Sequence, residues 1–257
     1  NTTGTANTAV GYGSLDANTT ASYNTAVGTN ALGANTTGAN NAAFGSNTLD
    51  ANTTASHNAA FGNNAMSANT TGEYNTAVGS NALDANTTGA SNTGIGQAAL
   101  GANTTAAYNT AVGHQALEAN TTGTRNVAVG YAALDAATTA SDNTYVGSGA
   151  GSANTSGDHN TGIGQASMDE LTTGANNTAV GSKSLSGAVT GDSNTAVGVS
   201  ALVANTSGAY NVAVGALALD ANTTGDNNTS LGMYSLTAAT TADNNTAVGY
   251  IALGANT

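Results

Sequence analysis

The sequence predicts an all-β chain folded as a parallel β-solenoid, or β-roll, of about fifteen 17-residue coils in an elongated rod. Counted from Asn7, the unit Asn-Thr-Ala-Val-Gly-x-x-Ala-Leu-x-Ala-Asn-Thr-Thr-Gly-x-x opens fifteen times without an insertion or a deletion. Each unit holds two short apolar stretches and a glycine at a fixed place. We number the positions of the unit as slots 1 to 17, with the opening Asn in slot 1.

The fixed period also predicts the domain organisation. A seventeen-residue unit cannot bury its own apolar side chains, so neighbouring copies must stack and share a core. At about 4.8 Å per coil, fifteen coils would extend over roughly 70 Å. We therefore expect a single β-solenoid repeat domain over residues 1–257, as a fragment of a longer fibre or a subunit within one. A helical fold is disfavoured because every copy contains glycine and β-branched residues.

The first strand of each coil is predicted in slots 2 to 4, as in Thr25–Val27. Strand alternation is expected to send slots 2 and 4 into the core and slot 3 to the surface. The glycine of slot 5, Gly28 in this coil, is expected to end the strand at a corner that needs positive φ.

A second strand is predicted over residues 31–37 and their equivalents. Alternation would place Leu32, Ala34 and Thr36 on one face, and Asn35 and Thr37 on the other. The slot 15 residue and two variable polar residues would form the return turn.

The predicted core combines the slot 4 row with the slot 9 row, and its interior is thin. The slot 9 row begins with Leu15, Leu32, Leu49, Met66, Leu83, Leu100, Leu117 and Leu134. Gly151 interrupts it, with Gly147 and Gly149 nearby, which predicts a weak point in the stack. The Asn of slot 1, present in all fifteen copies, is interpreted as a ladder of amides bonded to their equivalents in adjacent coils.

Composition excludes several classes of protein. Charged residues are 6% of the chain, and fourteen acids against Lys183 and Arg125 give a net charge of −12. This balance argues against nucleic acid and anionic membrane surfaces as partners. No apolar run is long enough for a transmembrane helix, so membrane insertion is not expected. Disorder is disfavoured because apolar residues recur at fixed phase. The polar, Thr- and Asn-rich, weakly acidic sequence favours an extracellular setting.

The segments NTAVGYGSL, NTAVGTNAL, NTAVGSNAL and NTAVGHQAL resemble the repeats in the heads of trimeric autotransporter adhesins. Those heads are left-handed parallel β-rolls assembled as trimers. The longer pattern NTAVG-x-x-AL-x-ANTTG is similar to repeats in bacterial surface proteins and phage tail-fibre-like proteins. The resemblance covers the whole chain, and the period here is longer than in the adhesin heads. It implies an adhesive or fibre-forming role at a cell surface or on a virion appendage, and no catalytic residues.

Side chains that could carry chemistry are scattered. His57 and His159 are six coils apart, and with His114 they are interpreted as exposed turn residues. No Ser/His/Asp set stands out, and the glycine-rich stretch 147–151 lacks the lysine and the helix of a phosphate loop. We therefore expect no catalytic, cofactor-binding or metal-binding residue and no enzymatic activity. A sugar-active enzyme on a solenoid scaffold remains a minor hypothesis.

Acidic residues recur in slot 10 of alternate coils, at Asp16, Asp50, Asp84 and Glu118. This spacing separates like charges by roughly 10 Å, close to the screening length. A calcium ladder on this row is an open alternative, although the usual glycine-rich calcium-binding repeat is missing. The Asn-Thr-Thr tripeptides match the N-glycosylation pattern only as a by-product of the repeat.

Ice binding is the main functional alternative to a fibre. Slots 12 and 14 are predicted to face outward together, as a flat row of polar groups that could order water. The pairs are Asn18 and Thr20, Asn35 and Thr37, Asn52 and Thr54, and Asn69 and Thr71. The slot 12 row is interrupted by Ala137, Leu171, Ala188 and Ala239.

The expected partners are further copies of the chain. Residues 1–4 and 254–257 are ordinary repeat sequence without charge or proline, so exposed strand edges are expected to pair head to tail into filaments. A homo-oligomer, with a trimer as one form, is also expected. A cell-surface or glycan receptor would be a further partner.

Overall fold

A computed structural model of the chain describes residues 1–187 and 190–255. The described chain is all-β, with one three-residue strand in each repeat copy and no helix. The predicted fold class, a parallel β-solenoid of 17-residue coils, is therefore confirmed. Ala188, one of the predicted interruptions of slot 12, and the terminal residues Asn256 and Thr257 lie outside the described residues.

The chain divides into two compact units, Asn1–Asn126 and Val127–Thr257. The first contains β1 (Thr8–Val10), β2 (Thr25–Val27), β3 (Ala42–Phe44), β4 (Ala59–Phe61), β5 (Thr76–Val78), β6 (Thr93–Ile95) and β7 (Thr110–Val112). The second contains β8 (Val127–Val129), β9 (Thr144–Val146), β10 (Thr161–Ile163), β11 (Thr178–Val180), β12 (Thr195–Val197), β13 (Val212–Val214), β14 (Thr229–Leu231) and β15 (Thr246–Val248).

Within each unit, every strand pairs with the next strand in sequence, in parallel and without a register shift. In the first unit, for example, Thr25 pairs with Ala42, and Ala26 with Ala43. In the second, Val212 pairs with Thr229. Each residue therefore lies over its equivalent seventeen residues away, and every slot becomes a row along the stack.

The predicted direction of the strand side chains is wrong. Ala26 of slot 3 is fully buried, whereas Thr25 and Val27 are only half-buried and Phe61 of slot 4 is 40% exposed. The core requires a small residue in slot 3 because the slot 9 side chain packs against it. A Cβ added to Gly94 of slot 3 would lie 3.3 Å from Cγ of Leu83. The larger apolar residues of slots 2 and 4 consequently point away from the core.

The predicted second strand does not form. Residues 29–34 form a turn, and the following residues are bends or irregular. Leu32 and Asn35 are both buried, while Thr37 is exposed, so the predicted alternation along this stretch is also wrong. The backbone still bonds to the next coil: Leu32 N–H donates to the Thr48 carbonyl at 3.0 Å. The turns therefore keep the hydrogen bonds between adjacent coils, and they also change the direction of the chain so that it encloses a narrow core.

The slot 9 residue adopts a left-handed backbone conformation. Leu32 has φ 52° and Leu100 has φ 54°. This conformation costs a non-glycine residue roughly 1–2 kcal/mol. Full burial of a leucine side chain returns about 1.5–3 kcal/mol. Burial thus offsets the strain, which explains a leucine where the backbone alone would favour glycine.

The slot 9 row is interior as predicted, but Gly151 is not a weak point. Leu134 and Met168, in the adjacent coils of the second unit, are fully buried. At the level of Gly151, the ring of Tyr145 enters the core from slot 3 and is itself fully buried. The tyrosine fills the volume that the missing slot 9 side chain leaves, so the core remains packed.

The slot 5 glycine has the predicted positive φ. The angle is 138° at Gly28 and 143° at Gly62. A Cβ on Gly62 would also overlap the backbone carbonyl of Gly79 in the next coil. Both conformation and close approach therefore require glycine at this corner.

Two rows of buried asparagine join successive coils. In slot 1, Asn41 N–H donates to Asn24 Oδ1 at 2.9 Å, and Asn41 Nδ2 donates to the Ala55 carbonyl at 2.8 Å. The predicted slot 1 ladder therefore exists, but it runs mainly from backbone N–H to side-chain oxygen. Amide-to-amide bonds also occur in slot 1 of the second unit, where Asn211 Nδ2 donates to Asn194 Oδ1 at 3.2 Å. Slot 12 carries a second amide-to-amide row, in which Asn86 Nδ2 donates to Asn69 Oδ1 at 2.9 Å.

Candidate functional site

The described residues bring no cluster of metal-ligating side chains together. No group of three or more His, Cys, Asp or Glu residues that could hold a metal ion occurs in residues 1–187 and 190–255. His57, His114 and His159 are all exposed, as predicted, and lie in different coils. The candidate functional features are consequently the rows of side chains on the outside of the coils.

The acidic row of slot 10 is half-buried for much of its length. Burial raises the pKa of Asp50, Asp84, Asp169 and Asp220, while bonds from backbone N–H groups partly oppose this effect. The nearby charge of Glu118 raises the pKa of Asp84 further. Gly33 leaves an open groove between Asp16 and Asp50, beside Tyr12 and Asn30. Asp16, Asp50 and Asp84 lie on alternate coils, and no three acidic or histidine side chains of the described residues converge as calcium ligands do.

Slot 12, predicted to face outward, is interior. Asn35, Asn52 and Asn69 are fully buried and bonded in the amide ladder. Asparagine is polar, and alternation along a presumed strand placed it outside. Its amide instead satisfies both the adjacent coil and the turn, since Asn69 Nδ2 also donates to the Gly72 carbonyl at 3.0 Å. The asparagines of the predicted water-ordering row are therefore not at the surface, and only its slot 14 residues can contact water.

Slot 14 does face outward and is an unbroken row of hydroxyls. Thr37, Thr54 and Thr71 are exposed, and every described copy has Thr or Ser in this slot. The neighbouring slot 13 hydroxyls are used internally: Thr70 Oγ1 donates to the Thr87 carbonyl of the next coil at 3.0 Å. The two threonines of the Asn-Thr-Thr segment thus differ in role, one joining coils and one meeting solvent.

The outer face of the strands combines an apolar residue in slot 4 with threonine in most copies of slot 2. We call it the Thr–Val face and define it as slots 2 and 4, for example Thr76 and Val78. Phe44 and Phe61 of slot 4 are 37% and 40% exposed, and their rings stack with centroids 4.8 Å apart and an interplanar angle of 5°. No charged residue occurs in slot 2 or slot 4 of any copy. Sequence reasoning missed this surface because it assigned these side chains to the core.

Slot 16 carries a second structural role that sequence reasoning missed. The Ser56 hydroxyl accepts a bond at 3.0 Å from the N–H of Ala39, one coil earlier. In the second unit, Asp192 Oδ1 accepts from Ala175 N–H at 2.8 Å. Ser and Asp recur in this slot, and their shared ability to accept a bond from backbone N–H was the available signal.

The comparisons with known proteins leave the function to be argued from these surfaces. No family model matches the chain, and no curated protein is significantly similar to it in sequence. No helix long and apolar enough to cross a bilayer occurs in the part of the chain that the structure describes.

Proposed function

We propose that the chain is a structural component of an extracellular fibre: a β-solenoid shaft that assembles into a filament or a surface appendage. The observation that carries this proposal is the uniformity of the coils. Side-chain amides, hydroxyls and backbone groups are used to join each coil to the next, and the exposed rows repeat with the same period. Such an arrangement supplies extent and regularity, which a shaft needs, instead of one distinct pocket.

Electron microscopy of the purified chain over a range of concentrations tests the proposal. Filaments with a repeat of about 4.8 Å along their axis are expected, from the spacing of hydrogen-bonded strands. Micrographs and sedimentation that show only discrete particles at the highest concentration would contradict the fibre role.

An adhesive role for the fibre is supported by exposed aromatic side chains in slot 17. Tyr108 is 65% exposed, and the rings of His57 and Tyr74 stack in parallel with centroids 5.0 Å apart. Exposed aromatic rings provide contact area at low conformational cost, and the slot 14 hydroxyls provide hydrogen bonds. A glycan array probed with the native chain and with Tyr74→Ser tests this role. Binding that is absent, or that Tyr74→Ser leaves unchanged, would argue against it.

Ice binding is a second candidate, favoured by the exposed slot 14 hydroxyls. Rows of equivalent hydroxyls repeat at the coil spacing and could order water at regular intervals. The test is thermal hysteresis of the native chain and of Thr71→Lys/Thr88→Lys, which would disrupt the row. Clear hysteresis that the double variant abolishes would favour ice binding over a purely structural role.

A further inference from the structure

We propose that the Thr–Val face is the surface on which a second copy of this chain packs side by side. This inference rests on the proposed role as a fibre component, and it identifies the lateral interface of that fibre. The surface comprises slots 2 and 4, and its exposed apolar members in the first unit include Phe44, Phe61, Val78 and Ile95.

The pattern within the strand shows that slot 4 is apolar for a reason outside the single chain. Slots 2 and 4 both point outward and lie two residues apart on the same strand. Slot 2 is Thr in eleven of the fifteen copies, whereas slot 4 is Val, Phe, Ile or Leu in all fifteen. Threonine forms strands about as well as valine. Strand formation therefore does not explain the exclusion of polar residues from slot 4, and neither does the core.

The charge distribution permits an identical copy as the occupant. The net charge of −12 makes two chains repel each other wherever their carboxylates meet. The charged residues occur in slots 7, 10, 11, 16 and 17, and never in the three strand slots. Two Thr–Val faces can therefore meet without burying a charge, which would be costly.

The period of the coils also favours an identical copy. Rows of side chains on both copies repeat every coil, so knobs and gaps that match at one level match at every level. A partner with another period would lose this match within a few coils. The Phe44 and Phe61 rings, which stack at the coil spacing, offer the largest apolar area in the first unit.

The size of the face indicates that many coils must contribute. A three-residue strand covers roughly 10 Å by 4.8 Å, or about 50 Å² per coil. A stable interface needs about 800 Å² on each partner. At this footprint even fifteen strands supply only about 750 Å², so association is expected to be weak and to require an apolar residue in slot 4 of every copy.

Sedimentation velocity on matched lysine variants tests the proposal. Phe44→Lys/Phe61→Lys places two charges on the Thr–Val face, and Thr54→Lys/Thr71→Lys places two in slot 14 of the same coils. We expect the native chain and the slot 14 variant to self-associate alike, and the face variant to associate at least tenfold more weakly. Equal association of all three, or equal weakening of both variants, would overturn the proposal.

A second pair of measurements guards against loss of folding. Far-ultraviolet circular dichroism should show that both lysine variants melt cooperatively, because all four side chains are exposed. If the face variant does not, Phe44→Thr/Phe61→Thr keeps strand propensity and removes the apolar contact. That variant should also associate more weakly than the native chain, and native-like association would overturn the proposal.

The outcomes separate this inference from the proposed function. Filaments that form equally well from the face variant would refute the lateral interface and leave the fibre role standing. Discrete side-by-side oligomers without filaments would support the interface and refute the fibre role. Thermal hysteresis that depends on Phe44 and Phe61, in a chain that sediments as a monomer, would refute the second copy as occupant.

Discussion

The ring of Tyr145 occupies the space in which a side chain at Gly151 would begin. A Cβ on Gly151 would lie 2.5 Å from Cε1 and 2.6 Å from Cδ1 of the ring. Slot 3 elsewhere holds a small residue and slot 9 a large one, so this coil exchanges the two. The hydroxyl remains within the core, where it donates to Sδ of Met168 at 3.7 Å. Burial strongly raises the pKa of Tyr145, which keeps the phenol neutral.

Replacing only one residue of this pair by its usual counterpart in the repeat should lower the free energy of unfolding. Replacing both residues should recover most of the loss. Gly151→Leu forces an overlap with the ring, and Tyr145→Ala leaves a cavity that costs about 3–5 kcal/mol, as for other large aromatic residues. The double variant recreates the combination found at Ala179 and Leu185, both fully buried. Urea unfolding should give a favourable coupling free energy of at least about 2 kcal/mol. Additive losses would show that the two positions do not share one volume.

The corner glycine of slot 5 should tolerate no side chain. Gly62→Ala should lower the free energy of unfolding by at least about 1–3 kcal/mol, because φ is 143° and a Cβ overlaps the next coil. The matched control is Gly33→Ala in slot 10, where φ is not positive and the nearest atom to a Cβ is the Asn30 carbonyl oxygen at 3.3 Å. Chemical denaturation should show a much smaller loss for the control. Similar losses at both glycines would contradict the corner argument.

The slot 12 ladder should reject a charge more strongly than an apolar residue. Asn86 Nδ2 donates to Asn69 Oδ1 and to the Gly89 carbonyl, and its Oδ1 accepts from Asn103 Nδ2. Asn86→Asp removes both donors and buries a carboxylate, so a loss above about 3 kcal/mol is expected. Asn86→Leu should cost about 1–3 kcal/mol, since it leaves amide groups unpaired. Leu171 already occupies slot 12, fully buried. Thermal melts that rank the two variants in the opposite order would refute the ladder.

Slot 16 offers a stabilising substitution. Ala39 N–H is bonded to Ser56 one coil later, and by the same repeat geometry the N–H of Ala90 is expected to lie opposite Ala107, which has no side-chain acceptor. Ala107→Ser should add an equivalent bond and raise the free energy of unfolding by about 0.5–1.5 kcal/mol. The reciprocal control, Ser56→Ala, should lower it by a similar amount. Melting temperatures that move in the same direction for both would contradict this role.

The protein should become more stable as the pH falls from neutral toward the pKa of its carboxyl groups. Burial raises the pKa of Asp50, Asp84, Asp169 and Asp220 in the folded state. The folded chain therefore binds protons more tightly than the unfolded chain, and stability rises as the pH drops through the raised values. This gain is complete below the ordinary carboxyl pKa. Melting temperatures recorded between pH 7 and pH 3 check the direction of the change.

A pair of variants tests the origin of that dependence. Asp50→Asn/Asp84→Asn removes two of the half-buried carboxylates and should flatten the rise in melting temperature. Asp16→Asn/Asp192→Asn makes the same change in net charge at exposed positions. If both double variants flatten the rise equally, overall charge and not burial is responsible.

The period predicted the fold class, because a strict seventeen-residue repeat can bury its apolar side chains only by stacking. The rule that larger apolar residues face the core gives the wrong direction for the strand side chains, since slot 3 and not slot 4 points inward. Slot 9 already fills that narrow space, so Ala26 and not Val27 faces it. One signal in the sequence did indicate the correct direction: slot 3 is small in every copy except at Tyr145, whose coil has Gly151 in slot 9.

The candidate interaction surface was missed for the same reason. Once slots 2 and 4 were assigned to the interior, no apolar side chain remained to mark an interface. The asparagine of slot 12 was assigned to the outside because polarity alone does not reveal that a turn and an adjacent coil will bond both its amide groups. Slot 14 was correctly expected to face outward. Its hydroxyls carry no information about a partner, because threonine suits solvent as well as a ligand.

The coil-to-coil hydrogen bonds have a consequence for how such a gene can change length. Every pair of adjacent coils is joined by equivalent hydrogen bonds, because each coil offers the same donors on one side and the same acceptors on the other. Removing residues 58–74 would place Asn75 directly after residue 57, and every row would remain continuous across the join. A loss of sixteen or eighteen residues would instead mismatch every row beyond the join. Duplication or loss of whole repeats should thus retain the backbone ladder, whereas side-chain rows can change: loss of residues 58–74 would bring Asp50 and Asp84 onto adjacent coils.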